Sequence, residues 1–195
     1  AILGFAQLLQ RDKKEPLSDR HQARLHQIAK SGQHLLHLID DVLDLARIEA
    51  GRTSVAPEPV AVPDVLDEVK ATLETTAARA DIDVEIAPVP SGTPPIFADR
   101  TRFAQILMNF GSNAIKYNRP GGKVTFRVSV PDAGRLRVSV ADTGFGIAPD
   151  KQKKLFLPFE RAGQETGPIE GTGIGLAITR RLANLMRGSV GFQSE

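Results

Sequence analysis

The sequence predicts an α+β protein, an N-terminal helical hairpin followed by an α/β sandwich. Three observations carry this prediction. The first 50 residues place apolar side chains at three- and four-residue steps. Three prolines, Pro57, Pro59 and Pro63, then interrupt the chain. Beyond them, segments of helical period alternate with segments of period two, and one pair of the latter is joined by a glycine-containing turn.

The first helix spans Ala1 to Leu9, with Ile2, Phe5, Ala6 and Leu9 on one face. Glu15-Pro16-Leu17-Ser18 breaks it, because proline disfavours helix at the residue before it and Ser18 can cap the next helix. The second helix runs from Ser18 to about Gly51, with Ile28, Ala29, Leu35, Leu36, Ile39, Val42, Leu43 and Ala46 in coiled-coil steps and Leu38 and Leu45 widening the stripe. Two antiparallel helices cannot bury so wide a stripe, so the hairpin is expected to form half of a dimeric four-helix bundle. The alternative is a long helix lying on its own domain.

Gly51 to Pro63 reads as a linker or an edge strand. Pro63 to Ala80 is helical, with Val65, Leu66, Val69 and Leu73 on one face; Ile82 to Ile86 and Ile96 to Ala98 are strands. Asp99 to Asn118 is helical, with Phe103, Ile106, Leu107, Phe110 and Ala114 aligned. Gly121-Gly122 opens a hairpin with arms Val124 to Val130 and Leu136 to Ala141 and a turn at Asp132-Ala133-Gly134. Helices stacked on an antiparallel sheet complete the sandwich, and a last strand is expected from Ser189. The expected domains are 1–52 and 53–195.

Composition narrows the function. With no cysteine, the chain has no disulfide, no Cys-ligated metal and no thiol nucleophile. A net charge of +2 is too small to argue for nucleic acid, and one Tyr with no Trp offers little for base stacking. No apolar run reaches the ~18 residues of a membrane span.

Chemistry is concentrated in four short pieces. In Asn109-Phe-Gly-Ser-Asn113-Ala-Ile-Lys116-Tyr117, the helical repeat puts Asn113, Lys116 and Tyr117 within about 80° of Asn109, a polar arc beside the apolar face. Amide oxygens suit Mg²⁺, an ammonium suits phosphate and a phenol suits a base or sugar; solvated surface asparagines are the plainer reading. Asp142-Thr-Gly144-Phe-Gly146-Ile147 follows a strand and combines a carboxylate acceptor with two permissive glycines, although a plain strand-ending turn would look the same. Phe156-Leu-Pro-Phe159-Glu-Arg161 can anchor a helical turn in the core and extend Arg161 toward an anion, or simply pack locally. Gly171-Thr-Gly173-Ile-Gly175-Leu opens a helix running to about Arg187, and amides at such a helix start attract anions. Its spacing fits neither the dinucleotide-binding fingerprint nor the P-loop.

Taken together and in this order, the four pieces resemble the ATP-binding catalytic domain of two-component sensor histidine kinases. Asn109 to Tyr117 resembles the family's N box, Asp142 to Gly146 its first glycine box, Phe156 to Phe159 its F box and Gly171 to Gly175 its second glycine box. Asp41-Val-Leu-Asp-Leu-Ala-Arg-Ile-Glu49-Ala-Gly51 is similar to the end of the family's dimerisation and phosphotransfer hairpin. The resemblance implies an ATP-binding domain of the Bergerat type with a lid over Ile147 to Glu170, and a protein-histidine kinase that passes the γ-phosphoryl group of ATP to a histidine and then to a response-regulator aspartate.

It also implies roles. Asn113 would offer an oxygen to Mg²⁺, Lys116 and Arg161 would neutralise phosphate charge, Tyr117 would line the nucleoside pocket and Asp142 would accept from the adenine amino group. Gly144, Gly146 and Ile147 would close on adenine, and Gly171, Thr172, Gly173, Gly175 and Leu176 would surround the phosphates. Asn109 stands where related ATPases carry a water-activating glutamate, and an amide cannot act as that base, so transfer is expected over hydrolysis. The family's phosphorylated histidine precedes a stretch like Ala1-Ile-Leu-Gly-Phe5, so the acceptor is expected upstream of residue 1, and the catalytic domain is expected to continue past Glu195. His21, His26, His34 and His37 read as solvated or packed residues, Asp40, Asp41 and Asp44 as a solvated face, and Arg180, Arg181 and Arg187 as facing solvent. The resemblance implies a homodimer, a receiver-domain partner, and a cytoplasmic location with membrane anchoring of the whole protein left open. An ATPase-type conformational switch of the same fold and a non-catalytic dimeric signalling module are the alternatives.

Overall fold

The computed structural model describes residues 2–11, 17–132, 134–160 and 171–194. They divide into two units, Ala1–Ala46 and Arg47–Glu195.

The first unit holds α1 (Ile2–Arg11) and most of α2 (Asp19–Glu49). The Ser18 carbonyl accepts from the amides of His21 and Gln22 at 2.8 and 2.9 Å and so opens α2. Its hydroxyl lies 2.9 Å from His21 Nδ1 instead of capping an amide. Across the hairpin, Leu3 lies so close to Gly32 that a Cβ there would stand 2.9 Å from Leu3 Cδ2. Outward, Ile2 is 72% exposed, Phe5 67%, Leu8 67% and Leu35 57%, and Leu36, Ile39 and Leu43 are exposed as well. The single chain thus leaves much of its apolar stripe in solvent, at a cost of roughly 25 cal/mol per Å².

In the second unit the order is β1 (Glu58–Val60), α3 (Val62–Arg79), β2 (Ile82–Ile86), β3 (Ile96–Ala98), α4 (Arg100–Lys116), β4 (Gly122–Asp132), β5 (Arg135–Asp142), α5 (Pro149–Gln152) and α6 (Gly175–Leu185). The proline-rich segment supplies a strand: β1 pairs antiparallel with β3, with Pro59 opposite Phe97. The main sheet has the order β2-β4-β5.

That sheet corrects the antiparallel expectation, because β2 and β4 are parallel and only β4 and β5 are antiparallel. Helix α4 lies between β2 and β4 in the chain and returns it to the starting edge, which is the crossover that a parallel pair needs. The strand expected from Ser189 does not form: residues 188–194 join no ladder. They are held instead by Phe192 against Phe156, with ring centroids 5.9 Å apart, and by Ser194 Oγ, which accepts from the Ile147 amide at 2.8 Å. Helix α6 also ends earlier than expected, at Leu185, because Arg187 turns to φ 58° and the Gly188 amide donates back to the Ala183 carbonyl at 2.8 Å.

Helices α3 and α4 pack on the sheet around Phe126, Val124, Val65 and Leu66, all fully buried. Gly111 brings α4 close, since a Cβ there would stand 2.5 Å from Leu73 Cδ1 and 3.0 Å from Phe126 Cζ. Asp99 fixes where α4 begins: Oδ1 accepts from the Arg102 amide and Oδ2 from the Ala56 amide, both at 3.0 Å. Partial burial pushes this carboxyl up, but the Ala56 and Arg102 amides outweigh it and hold it below its ordinary 3.8.

Asp99→Ala is therefore expected to cost about 1 to 2 kcal/mol in urea denaturation at pH 7. A carboxyl whose folded pKa is depressed stabilises above its unfolded value and loses that contribution as pH falls through the folded one. The gap between Asp99→Ala and the unsubstituted chain should accordingly close below about pH 4. A gap that persists unchanged into acid would show that the carboxylate is not its source.

Candidate functional site

The last two turns of α4 carry the polar arc, and the structure brings both glycine segments to them. Asn109 Nδ2 donates to Thr179 Oγ1 on α6 at 2.7 Å, and Asn113 Nδ2 lies 3.5 Å from Asn109 Oδ1. Gly175, the first residue of α6, sits directly on this pair, for a Cβ there would stand 2.5 Å from Asn109 Oδ1. Only glycine leaves room for α6 to start so close to α4.

One turn further on, Lys116 ends α4 and Tyr117 caps it. The Lys116 ammonium lies 5.2 Å from the centroid of the Tyr117 ring and beside Gly171. Between Gly171 and Gly175 the chain turns through Gly173 at φ 71°, whose carbonyl accepts from the Phe159 amide at 2.9 Å. The Thr172 hydroxyl accepts from the Ile174 amide at 3.3 Å, Ile174 is fully buried, and Leu176 is half-buried. Ile174, at the N-cap position of α6, makes no side-chain capping hydrogen bond. The first amides of α6 and the positive end of its dipole make a place for an anion beside an ammonium.

On the other side of Tyr117 lies the segment after β5. The Tyr117 carbonyl accepts from the Phe145 amide at 3.2 Å. Asp142 Oδ1 accepts from the Gly144 amide at 2.9 Å, which orients the carboxylate, and Asp142 is exposed. Gly144 is pressed against the Tyr117 carbonyl so closely that any Cβ would collide with it. Gly146 turns the chain at φ 66°, and Ile147 follows, half-buried.

Two expectations need correction. Phe156 and Phe159 do not both anchor a helical turn in the core: Phe159 is 62% exposed at φ 67°, and Phe156 packs between Phe192 and the Arg180 guanidinium, 5.8 Å from its ring centroid. Residues 153–156 form turns after α5 ends at Gln152, and Pro158 has no amide N–H to donate to a helix. Arg180 and Arg181 do more than face solvent, since Arg181 also pairs with Glu49 at 2.6 Å. Arg161 and the part of the expected lid from residue 161 to 170 lie outside the described residues.

Several site residues escaped the sequence reading. Thr179 is buried at 1% exposure and partners Asn109; its only signal is a hydroxyl one helical turn after Gly175. Asn118 is 9% exposed and ties the end of α4 to β4 and to Thr143: Oδ1 accepts from Thr143 Oγ1 at 3.3 Å and Nδ2 donates to the Lys123 carbonyl at 3.1 Å. A buried amide that pairs with residues five and 25 positions away leaves no local pattern. Among the described residues no group of His, Cys, Asp or Glu could by itself hold a metal ion, and no helix is long and apolar enough to cross a membrane.

Residues 98–195 match the family model described as histidine kinase-, DNA gyrase B- and HSP90-like ATPase, and residues 1–51 match that of the His Kinase A phospho-acceptor domain. The histidine protein kinase DivJ of Caulobacter vibrioides is 38% identical over 100% of this chain and 32% of its own length, so the chain spans about a third of that relative. The full-length structure of ShkA in complex with AMPPNP matches with a TM-score of 0.80 at 37% identity, covering 99% of this chain and 40% of that one. At the level of fold alone, the histidine kinase ThkA in complex with the response regulator TrrA matches with a TM-score of 0.68 at 22% identity, over 96% of this chain and 50% of that one.

Thr179→Val strands the Asn109 amide and is expected to destabilise the chain by about 1 to 3 kcal/mol in urea denaturation. Gly175→Ala displaces the same amide from the other side, and the two substitutions should be less than additive when combined. Strict additivity would mean that Gly175 and Thr179 do not act through Asn109.

Proposed function

The chain belongs to the sensor histidine kinases, within the histidine kinase-, DNA gyrase B- and HSP90-like ATPases, and on that premise we propose that it is the kinase core that moves the γ-phosphoryl group of ATP to a histidine and then to a response-regulator aspartate. One observation carries the reading: the end of α4 with its C-cap, Asn109 to Tyr117, touches both an exposed carboxylate-bearing turn and the start of α6. An adenine needs the first and a triphosphate the second, so one nucleotide can lie along the helix.

Asp142 accepts from the adenine amino group through the oxygen that Gly144 does not occupy. Gly144, Gly146 and Ile147 form the wall on that side, and Tyr117 lines the nucleoside. Amides at Gly171, Thr172, Gly173, Gly175 and Leu176 receive the phosphates, with Lys116 and Arg161 neutralising charge that spreads onto the phosphoryl oxygens during transfer. The donor set of this site suits Mg²⁺, because Asn113 offers a neutral amide oxygen while its Nδ2 is turned to Asn109, and Mg²⁺ combines one such oxygen with phosphate and water. When bound, that ion would screen phosphate charge. Asn109 holds α6 against α4 and offers no base for water, which favours transfer over hydrolysis.

Residues 1–52 serve as the dimerisation and phosphotransfer hairpin and residues 53–195 as the ATP-binding domain. The exposed stripe of Ile2, Phe5, Leu8 and Leu35 supports a homodimer, since a second hairpin offers the same apolar surface. A response-regulator receiver domain is the partner proposed by analogy with ThkA and TrrA.

Calorimetric titration should give Mg²⁺-dependent ATP binding that Asn113→Ala weakens about tenfold or more and a preference for ATP over GTP that Asp142→Ala removes. Equal binding of both nucleotides by the unsubstituted chain would remove the role given to Asp142. The whole protein incubated with γ-labelled ATP should retain label that resists base and is lost in acid. Steady phosphate release with no labelled protein would instead favour an ATPase switch.

A further inference from the structure

Both backbone polar groups of Gly144 are held, and the restraint on its carbonyl comes from a residue with no role so far. The Gly144 amide donates to Asp142 Oδ1 at 2.9 Å, and its carbonyl accepts from Arg119 Nη2 at 2.8 Å. The same guanidinium lies 5.8 Å from the centroid of the Phe145 ring, which is 66% exposed. Arg119 therefore spans two successive residues of the turn, one by a charged hydrogen bond and the next by a cation–π contact.

Its backbone is fixed from below. Asn118 Oδ1 accepts from the Arg119 amide at 3.0 Å as well as from Thr143 Oγ1 at 3.3 Å, and Thr143 Oγ1 accepts from the Lys123 amide at 2.9 Å. A buried amide thus anchors the root of Arg119, the hydroxyl of Thr143 locks the turn to the same point, and the guanidinium closes over the top. The restraint has a task. Gly144 and Gly146 bracket Phe145, and two glycines that close give the backbone many conformations of similar energy. Unless Gly144 is held, Asp142 loses the amide that orients its carboxylate.

We infer that Arg119 is a positioning residue for base recognition, clamping residues 143–145 so that Asp142 presents a fixed carboxylate oxygen to the adenine amino group. This rests on the reading of Asp142 given under Proposed function. It assigns Arg119 to the base, although a cation near a nucleotide site would ordinarily be assigned to phosphate, because the group it touches is the turn that carries Asp142.

Arg119 is exposed, so its substitution leaves the core intact. Two measurements on this chain test the clamp. In the absence of nucleotide, amide hydrogen exchange at residues 143–146 should be about tenfold faster in Arg119→Ala. In calorimetry with Mg²⁺, Arg119→Ala should weaken ATP binding about tenfold while GTP binding changes little, so that the preference for adenine falls; Arg119→Lys, which keeps the charge but not the planar face, should recover part of it. Unchanged exchange overturns the clamp. Equal losses for ATP and GTP overturn the base assignment and place Arg119 on the phosphates, and an ATP affinity within about twofold of the unsubstituted chain overturns any role in binding. If the unsubstituted chain binds no ATP, the proposed function fails and the base role with it, while the exchange result still judges the clamp.

Discussion

The hydrogen bond of 2.7 Å from Asn109 to Thr179 is the joint on which the candidate site depends. It ties α4 to α6 at the point where Gly175 lets the two helices meet, and so decides where the first amides of α6 come to lie. Thr179 is almost completely removed from bulk water and Asn109 is half-buried, so a broken bond would leave a buried hydroxyl unsatisfied. The same α4 is anchored at its start by Asp99 and on its apolar side by Gly111 against Leu73 and Phe126. Its polar arc is thereby a rigid rail, and each functional segment is placed by contact with that rail.

Tyr117 shows how the rail divides the site. Its carbonyl receives the Phe145 amide, and its ring lies beside Lys116, next to Gly171. The carboxylate-bearing turn and the anion-attracting helix start thus approach one residue from two sides. Charge follows this geometry, with Asp142 on one side and Lys116 with the positive end of the α6 dipole on the other. A ligand that is neutral and hydrogen-bonding at one end and strongly anionic at the other matches this polarity, as a nucleoside triphosphate does.

Much of this was legible in the sequence for a physical reason. Asn109, Asn113, Lys116 and Tyr117 share a helix, and helical periodicity places residues on a face without knowledge of the rest of the chain. The strand Ile82 to Ile86 likewise sits where alternation put it, and the short apolar run Ile96 to Ala98 is a strand as expected. What stayed hidden depends on partners distant in sequence. The parallel pairing of β2 with β4 is a property of the crossover through α4, and no alternation in either strand encodes it. Phe159 looked like an anchor because it is large and apolar, yet backbone contact with Gly173 turns it outward at positive φ. Thr179, Asn118 and Arg119 act through partners 70, five and 25 residues away, beyond the reach of local spacing.

The central claim is that one nucleotide lies along the end of α4, with its base at the turn after β5 and its phosphates at the start of α6. Hydrogen exchange with and without Mg²⁺ and AMPPNP tests it most directly. The account predicts that protection rises together at residues 109–117, 142–147 and 171–177. Protection absent from one of the two glycine segments, or confined to the separate surface depression formed by Ala78, Asp81, Asp83 and Gly121, would contradict it.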